Sequence, residues 1–241
     1  MNREALLENI AHWQQRIGEA SAKWGGAQIC GVSKTIDPET INMAWEGGIR
    51  TLGENRVQEL LGKLDRLNPE YRIHLIGQLQ TNKVKSIIDK VDLIHSVDSM
   101  KLAKEINKRA AAHDLTMDIL IQINPADEES KFGVSLGQTR ELIGQILEEC
   151  DRVRIRGLMS VAPIAEDPRD VKVYFDEVKK QYDEYGKIDH PNLDFRYLSM
   201  GMSHDFQVAI EAGSNLIRVG SAIFGERDYE KFRRENNNGH V

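Results

Sequence analysis

Apolar residues recur at steps of three and four along the first two dozen positions: Leu6, Ile10, Trp13, Ile17, Ala20 and Trp24. That spacing puts them on one face and predicts an amphipathic helix. Beyond it the pattern changes to short apolar runs separated by helical stretches. The runs are "QICGVS" (28–33), "RTLGE" (50–54), "RIHLIG" (72–77), "LIHSV" (93–97), "MDILIQIN" (117–124), "RIRGLMS" (154–160), "FRYLSM" (195–200) and "LIRVGSA" (216–222). Runs this continuous read as strands covered on both faces, which is the mark of parallel pairing. Helix-opening residues punctuate the intervals at Asp37-Pro38, Asn55, Asp98-Ser99, Pro168 and Ser203. The clearest helix is "SVDSMKLAKEINKRAAAH", with a cap and then Leu102, Ile106 and Ala110 in register.

Alternating strand and helix eight times, with no Gly/Pro-rich linker, predicts an α/β protein whose residues 1–241 form one domain. The closed (β/α)8 TIM barrel accounts for eight units best, and an open doubly wound sheet is the second arrangement. Residues from about 230 to 241, polar throughout, read as a frayed tail.

Composition narrows the classes. A formal net charge of -6 lacks the basic excess of a nucleic-acid binder, so "TNKVKS" reads as a solvated helix face. Two cysteines, Cys30 and Cys150, make no disulfide framework and lie in no CxxC. The N-terminus carries charge from its third residue, unlike a signal peptide, and no run approaches the roughly 20 apolar residues of a membrane span. A cytoplasmic protein without membrane or nucleic-acid partners is expected. The histidines form no HxxxH or HExxH, so no metal site is expected.

In a parallel barrel, chemistry gathers where strands run into the following loops. There the chain places Lys34 after "GVS", Asn55 in "GENRVQE", His74 in "HLIGQLQTNK", Met159 in "GLMS", Ser199 in "LSMGMS" and Arg218 in "IRVGSA". Ser199 and Gly201 before the helix "HDFQVAIEAG", with Gly220 and Ser221 on the neighbouring loop, offer N–H groups and hydroxyls to an anion. Each feature has a plainer reading: a strand-end lysine that snorkels, a core histidine, an ordinary helix cap. Together, a strand-one lysine and a strand-seven and strand-eight anion cup fit an aldehyde tethered to a phosphate.

"GVSKT", "GENRVQE", "HLIGQLQTNK", "KFG" (131–133), "GLMS" followed by "AP", "LSMGMSHDFQVAI" and "IRVGSAIFG" occur in this order. The chain thereby resembles the pyridoxal phosphate homeostasis proteins, over residues 28 to 226. That resemblance implies the alanine racemase N-terminal-like, fold-type III barrel and pyridoxal 5'-phosphate as the cofactor, bound covalently as an aldimine on Lys34. It implies phosphate contacts from Ser199, Gly201, Gly220 and Ser221, Arg218 facing the pyridine nitrogen, and Asn55 near the ring; His74 and Met159 complete the expected cofactor-binding set. Asn215 and Ser221 stand where many relatives carry threonine, though Ser221 keeps the hydroxyl.

An arginine at the pyridine nitrogen leaves it unprotonated and weakens the electron sink, though racemases of this barrel type operate with such an arginine. Racemases resembling this barrel also add a β-rich domain carrying a tyrosine base, and here residues 227–241 follow Glu226, with Tyr229 read as a tail residue. The expectation is therefore a monomer that buffers or delivers the cofactor in B6 homeostasis, passing it to pyridoxal-phosphate apoenzymes, with no catalytic residues. The alternatives are a pyridoxal-phosphate-dependent amino-acid racemase or lyase, a Schiff-base aldolase on a phosphosugar, and an interaction module with a vestigial site.

Overall fold

The structure, a computed structural model, describes residues 1–128 and 131–225. Eight strands form a closed barrel in chain order: β1 (Gln28–Val32), β2 (Thr51–Glu54), β3 (Arg72–Leu75), β4 (Leu93–Val97), β5 (Met117–Ile123), β6 (Val153–Ser160), β7 (Leu193–Ser199) and β8 (Leu216–Val219). Every neighbouring pair is parallel. Pairing of β8 back onto β1, with Cys30 opposite Arg218, excludes the open sheet. The strands differ from the apolar runs by a few residues at most. The largest difference is at β8, which ends at Val219 rather than continuing to residue 222.

Helices clothe the outside: α1 (Arg3–Ser21), α2 (Pro38–Glu46), α3 (Val57–Lys63), α4 (Met100–Ala112), α5 (Thr139–Glu149), α6 (Lys172–Tyr185), α7 (Phe206–Glu211) and α8 (Ser221–Phe224). Local chemistry starts several of them. The Asp37 carboxylate accepts from Thr40 N at 2.8 Å, with Pro38 at the first helical position; such a cap is worth about 1 kcal/mol. Ser99 caps α4, whose Leu102, Ala103, Ile106 and Ala110 are buried at steps of one, three and four. Two expected caps are not caps. The α3 helix starts two residues after Asn55, on Arg56 with no side-chain cap, and α7 starts at Phe206 on Asp205, three residues after Ser203 begins to turn. "TNKVKS" forms a 3-10 helix, not an α-helix, with Val84 buried.

The main core lies between the barrel wall and the helices, and a smaller apolar cluster of Leu93, Leu120 and Met159 is packed by Val161 and Tyr197. The α1 helix buries Leu6, Ile10, Trp13 and Ile17. It lies against α2, α7 and α8, with Trp13 edge-on to Phe206 at 5.2 Å between ring centroids. Trp24 does not join this face, because α1 ends at Ser21 and leaves Trp24 exposed. The tail from about 230, and Tyr229, lie outside the described residues.

Candidate functional site

Lys34 follows β1 by two residues and is half-buried at the C-terminal end of the barrel. Its neighbours are held tightly. The Ser33 hydroxyl donates to the Glu54 carboxylate, and the Thr35 N–H donates to Glu59. Thr35 sits at φ 66, in the left-handed region. For a β-branched residue that is an outlier costing on the order of 1–3 kcal/mol, and it lies next to the one lysine that the barrel end singles out.

Arg218 occupies the strand beside β1. Its side chain is buried, and its guanidinium donates to the Ser199 carbonyl at 2.8 Å, the Ser199 hydroxyl at 2.7 Å and the Ser160 carbonyl at 2.8 Å. Among the described residues no carboxylate pairs with it, so burial lowers its pKa from the usual arginine range. A buried cation held only by neutral oxygens suits a ligand that supplies an acceptor or negative charge. Ser199, expected at the phosphate, thus also fixes Arg218. Burial likewise pushes the Cys30 thiol, one strand away, up to about 12 despite the Arg218 charge, which keeps it an inert packing group.

The expected anion cup divides between two loops. Gly201 follows β7 by two residues with φ 88, and a Cβ there would lie 2.6 Å from Ala209 Cβ. Glycine is therefore required on both conformational and steric grounds. The Arg218 backbone N–H donates to the Gly201 carbonyl at 3.1 Å, tying the loop after β7 to strand β8. Gly220 precedes α8, and Ser221 is its exposed first residue rather than part of β8. Met202 N is already bonded to Asp205 at 2.6 Å, which removes one amide the helix start was expected to offer.

His74 turns inward with its lateral partner Leu93 and is nearly inaccessible. Its Nδ1 lies 3.0 Å from Nε2 of His95, and Tyr197 meets its ring edge-on at 6.1 Å. Burial pushes His74 down to about 3 and His95 well below the usual histidine value, so both rings are neutral. Met159 packs into the small apolar cluster named above and offers a wall, not a polar contact.

Several buried polar atoms have no hydrogen-bond partner among the described residues. Thr35 Oγ1, Asn55 Oδ1, His95 Nδ1 and Ser160 Oγ are four of them, each on or just beyond a strand of the barrel. Leaving such atoms unpaired costs about 1–3 kcal/mol apiece, so their grouping fits an end of the barrel built around a polar guest. A phosphorylated aldehyde fits the donor set: an amine two residues after β1, a guanidinium on β8, and one glycine in each of the loops after β7 and β8. Sequence reasoning overlooked Glu54, Glu59, Lys63, His95, Ser160 and Tyr197. Glu54 closes a predicted strand and Glu59 and Lys63 lie four apart on a helix, and no periodicity distinguishes a buried charge from an exposed one.

The sequence profile of the family "Alanine racemase, N-terminal domain" matches residues 1–228. The pyridoxal phosphate homeostasis protein of Aquifex aeolicus is 42% identical over 92% of this chain and 98% of its own. That of Escherichia coli K12 is 35% identical over 94% and 98% respectively. The structure of PipY from Synechococcus elongatus PCC7942, solved with PLP bound, superposes with a TM-score of 0.79 at 31% identity, covering 91% of this chain and all of that one. An alanine racemase of Clostridium difficile shares the fold at TM-score 0.71 and 14% identity, with 60% of its length covered.

Proposed function

We propose, from the premise that this chain belongs to the pyridoxal phosphate homeostasis family, that it binds pyridoxal 5'-phosphate and buffers or delivers it within the cell. The observation that carries the reading is that β1, which leads into Lys34, pairs directly with β8, which carries the buried Arg218. Among the described residues neither side chain has a carboxylate partner. The cofactor supplies an aldehyde carbon that condenses with a primary amine and a ring that can accept electrons.

The chain's own residues divide the work of holding it. Lys34 Nζ is the covalent anchor. Arg218, kept in place by Ser199 and Ser160, would donate to the ring nitrogen and leave that nitrogen without a proton. Backbone N–H groups at Gly201, Gly220 and Ser221, with the Ser199 and Ser221 hydroxyls, hold the phosphate. Asn55, whose Oδ1 lacks a partner among the described residues, would lie near the ring, and His74 and Met159 would complete the binding set.

With arginine at the ring nitrogen, electron withdrawal is weak, and His74 and His95 are neutral and enclosed. Racemases of this barrel type also operate with such an arginine, so the support for a carrier over a racemase or lyase is the naming of the relatives as homeostasis proteins. The carrier acts in the cytoplasm as a monomer and hands the cofactor to pyridoxal-phosphate apoenzymes. The test is borohydride reduction of the loaded protein followed by peptide mapping. A pyridoxyl adduct on Lys34 supports the reading, and one on Lys83 or Lys131 instead refutes it.

A further inference from the structure

The segment that carries Lys34 is gripped on both sides by a buried ionic cluster. The Lys63 ammonium meets Glu54 Oε1 at 2.6 Å, the Ser33 carbonyl at 2.9 Å and Glu59 Oε1 at 3.2 Å. Its three donor sites are thereby used. The same Glu54 oxygen accepts from the Ser33 hydroxyl, and the same Glu59 oxygen accepts from the Thr35 N–H. The three side chains are 0%, 7% and 6% exposed for Glu54, Glu59 and Lys63. Every contact to the turn lands on a residue immediately before or after Lys34.

Fold stability alone gives little reason for this arrangement. A buried ion cluster is weak as a source of stability, and apolar residues of similar volume often serve as well or better. Here one carboxylate oxygen, Glu54 Oε2, has no partner among the described residues, and burial pushes the Glu54 carboxyl above its usual range. Thr35 is held at φ 66, where glycine would sit without strain. Such conformations persist only where the surroundings over-determine them, and the Glu59 bond to the Thr35 N–H does that.

We propose that Glu54, Glu59 and Lys63 are positioning residues that clamp the Ser33–Thr35 turn, aim Lys34 into the barrel mouth and thereby set how readily its amine captures an aldehyde. This rests on the reading of Lys34 as covalent anchor. In the capture step the amine nitrogen adds to the aldehyde carbon, a C=N bond replaces the C=O bond, and the oxygen leaves as water with the two amine protons; no oxidant or reductant takes part. Holding the nitrogen in place converts a loose encounter into an oriented one, which is where such a clamp acts. None of the cluster's hydrogen bonds goes to Gly201, Gly220 or Ser221, so phosphate recognition should be independent of it.

Glu59→Ala removes the acceptor for the Thr35 N–H while leaving the Glu54–Lys63 pair. It is compared with the unsubstituted protein in two assays: borohydride-trapped pyridoxal 5'-phosphate on Lys34 over time, and affinity for 4-deoxypyridoxine 5'-phosphate, which has the phosphate but no aldehyde. The expected result is a tenfold or greater fall in trapping rate, affinity for the aldehyde-free analogue within twofold, and faster hydrogen exchange at the Thr35 amide of the cofactor-free protein. Ser33→Ala, which deletes one hydroxyl, should show the same split at smaller size, and it decides the matter if Glu59→Ala does not fold. Unchanged trapping, or equal losses for both ligands, overturns the clamp. If the unsubstituted protein itself traps nothing on Lys34, the anchor reading fails first and takes the clamp with it.

Discussion

Nε2 of His95 and Nδ1 of His74 lie 3.0 Å apart across β3 and β4, closed off from solvent. At that distance one nitrogen donates and the other accepts, so the pair shares its proton arrangement and neither ring carries charge. Burial is the dominant cause of both lowered pKa values.

This pair makes stability depend on acid. An unfolded histidine takes up a proton below about pH 6.5, whereas His74 in the folded chain resists until about 3. Above pH 6.5 neither state is protonated and the term is flat. Below it the unfolded state gains protons the folded state cannot, so stability falls toward pH 3, with His74 contributing up to about 1.4 kcal/mol per pH unit and His95 acting in the same direction. Melting temperatures measured from pH 7.5 to 4.5 should drop, and the double substitution His74→Leu with His95→Leu should flatten that limb. An acid limb as steep in the double variant would rule out the pair as its source.

In the proposed reading, a phosphate held at Gly201 and Gly220 is the main handle. Charge-assisted hydrogen bonds contribute about 1.5–3 kcal/mol each, so pyridoxal lacking its phosphate should bind about a hundredfold more weakly or worse. Gly201→Val should weaken the phosphorylated form too, because its Cβ would press on Ala209 at 2.6 Å and its φ of 88 disfavours any side chain. Equal affinity for the two vitamers in a titration would remove the cup from the site.

Gly77 is required for a different reason. A Cβ there would lie 2.2 Å from the Asn55 carbonyl oxygen and 2.7 Å from its Cα, both backbone atoms that cannot swing aside. Overpacking of this kind costs about 1–3 kcal/mol. For a chain of this size Gly77→Ala should lower the melting temperature by roughly 2–12 °C. It should also weaken cofactor binding by displacing Asn55. A variant that melts and binds like the parent would show that the β2 and β3 loops separate freely.

The carrier reading predicts spectral change without turnover. Amino acids should exchange with Lys34 at the cofactor and alter its absorbance reversibly, while deuterium incorporation at their α-carbon stays at the background rate. General acid–base groups contribute about 10²–10⁴-fold each, and a racemase needs one on either face. Racemisation that is robust in the parent and lost in Lys34→Ala would replace the carrier with an enzyme.

The sequence by itself determined the eight-fold alternation, the parallel pairing and the strand-end position of Lys34, because these follow from which residues must leave water. Continuous apolar runs such as "LIHSV" can be covered only from both sides, and the Asp37-Pro38 and Ser99 caps act within a few residues of chain. The tertiary structure decided closure through β8 on β1, which depends on strand ends nearly 190 positions apart in the sequence. It also decided which polar residues are buried. Asn55 and Ser203 have the side chains of helix caps, yet α3 and α7 start later, since the path of the chain into the barrel mouth fixes where each helix begins. Glu54 closes a strand, and Glu59 and Lys63 are spaced i,i+4 like an ordinary exposed helical pair. They become a clamp around Lys34 only because α3 packs back against the turn after β1, and burial of a charge is a property of that packing, not of the charge's place in the sequence.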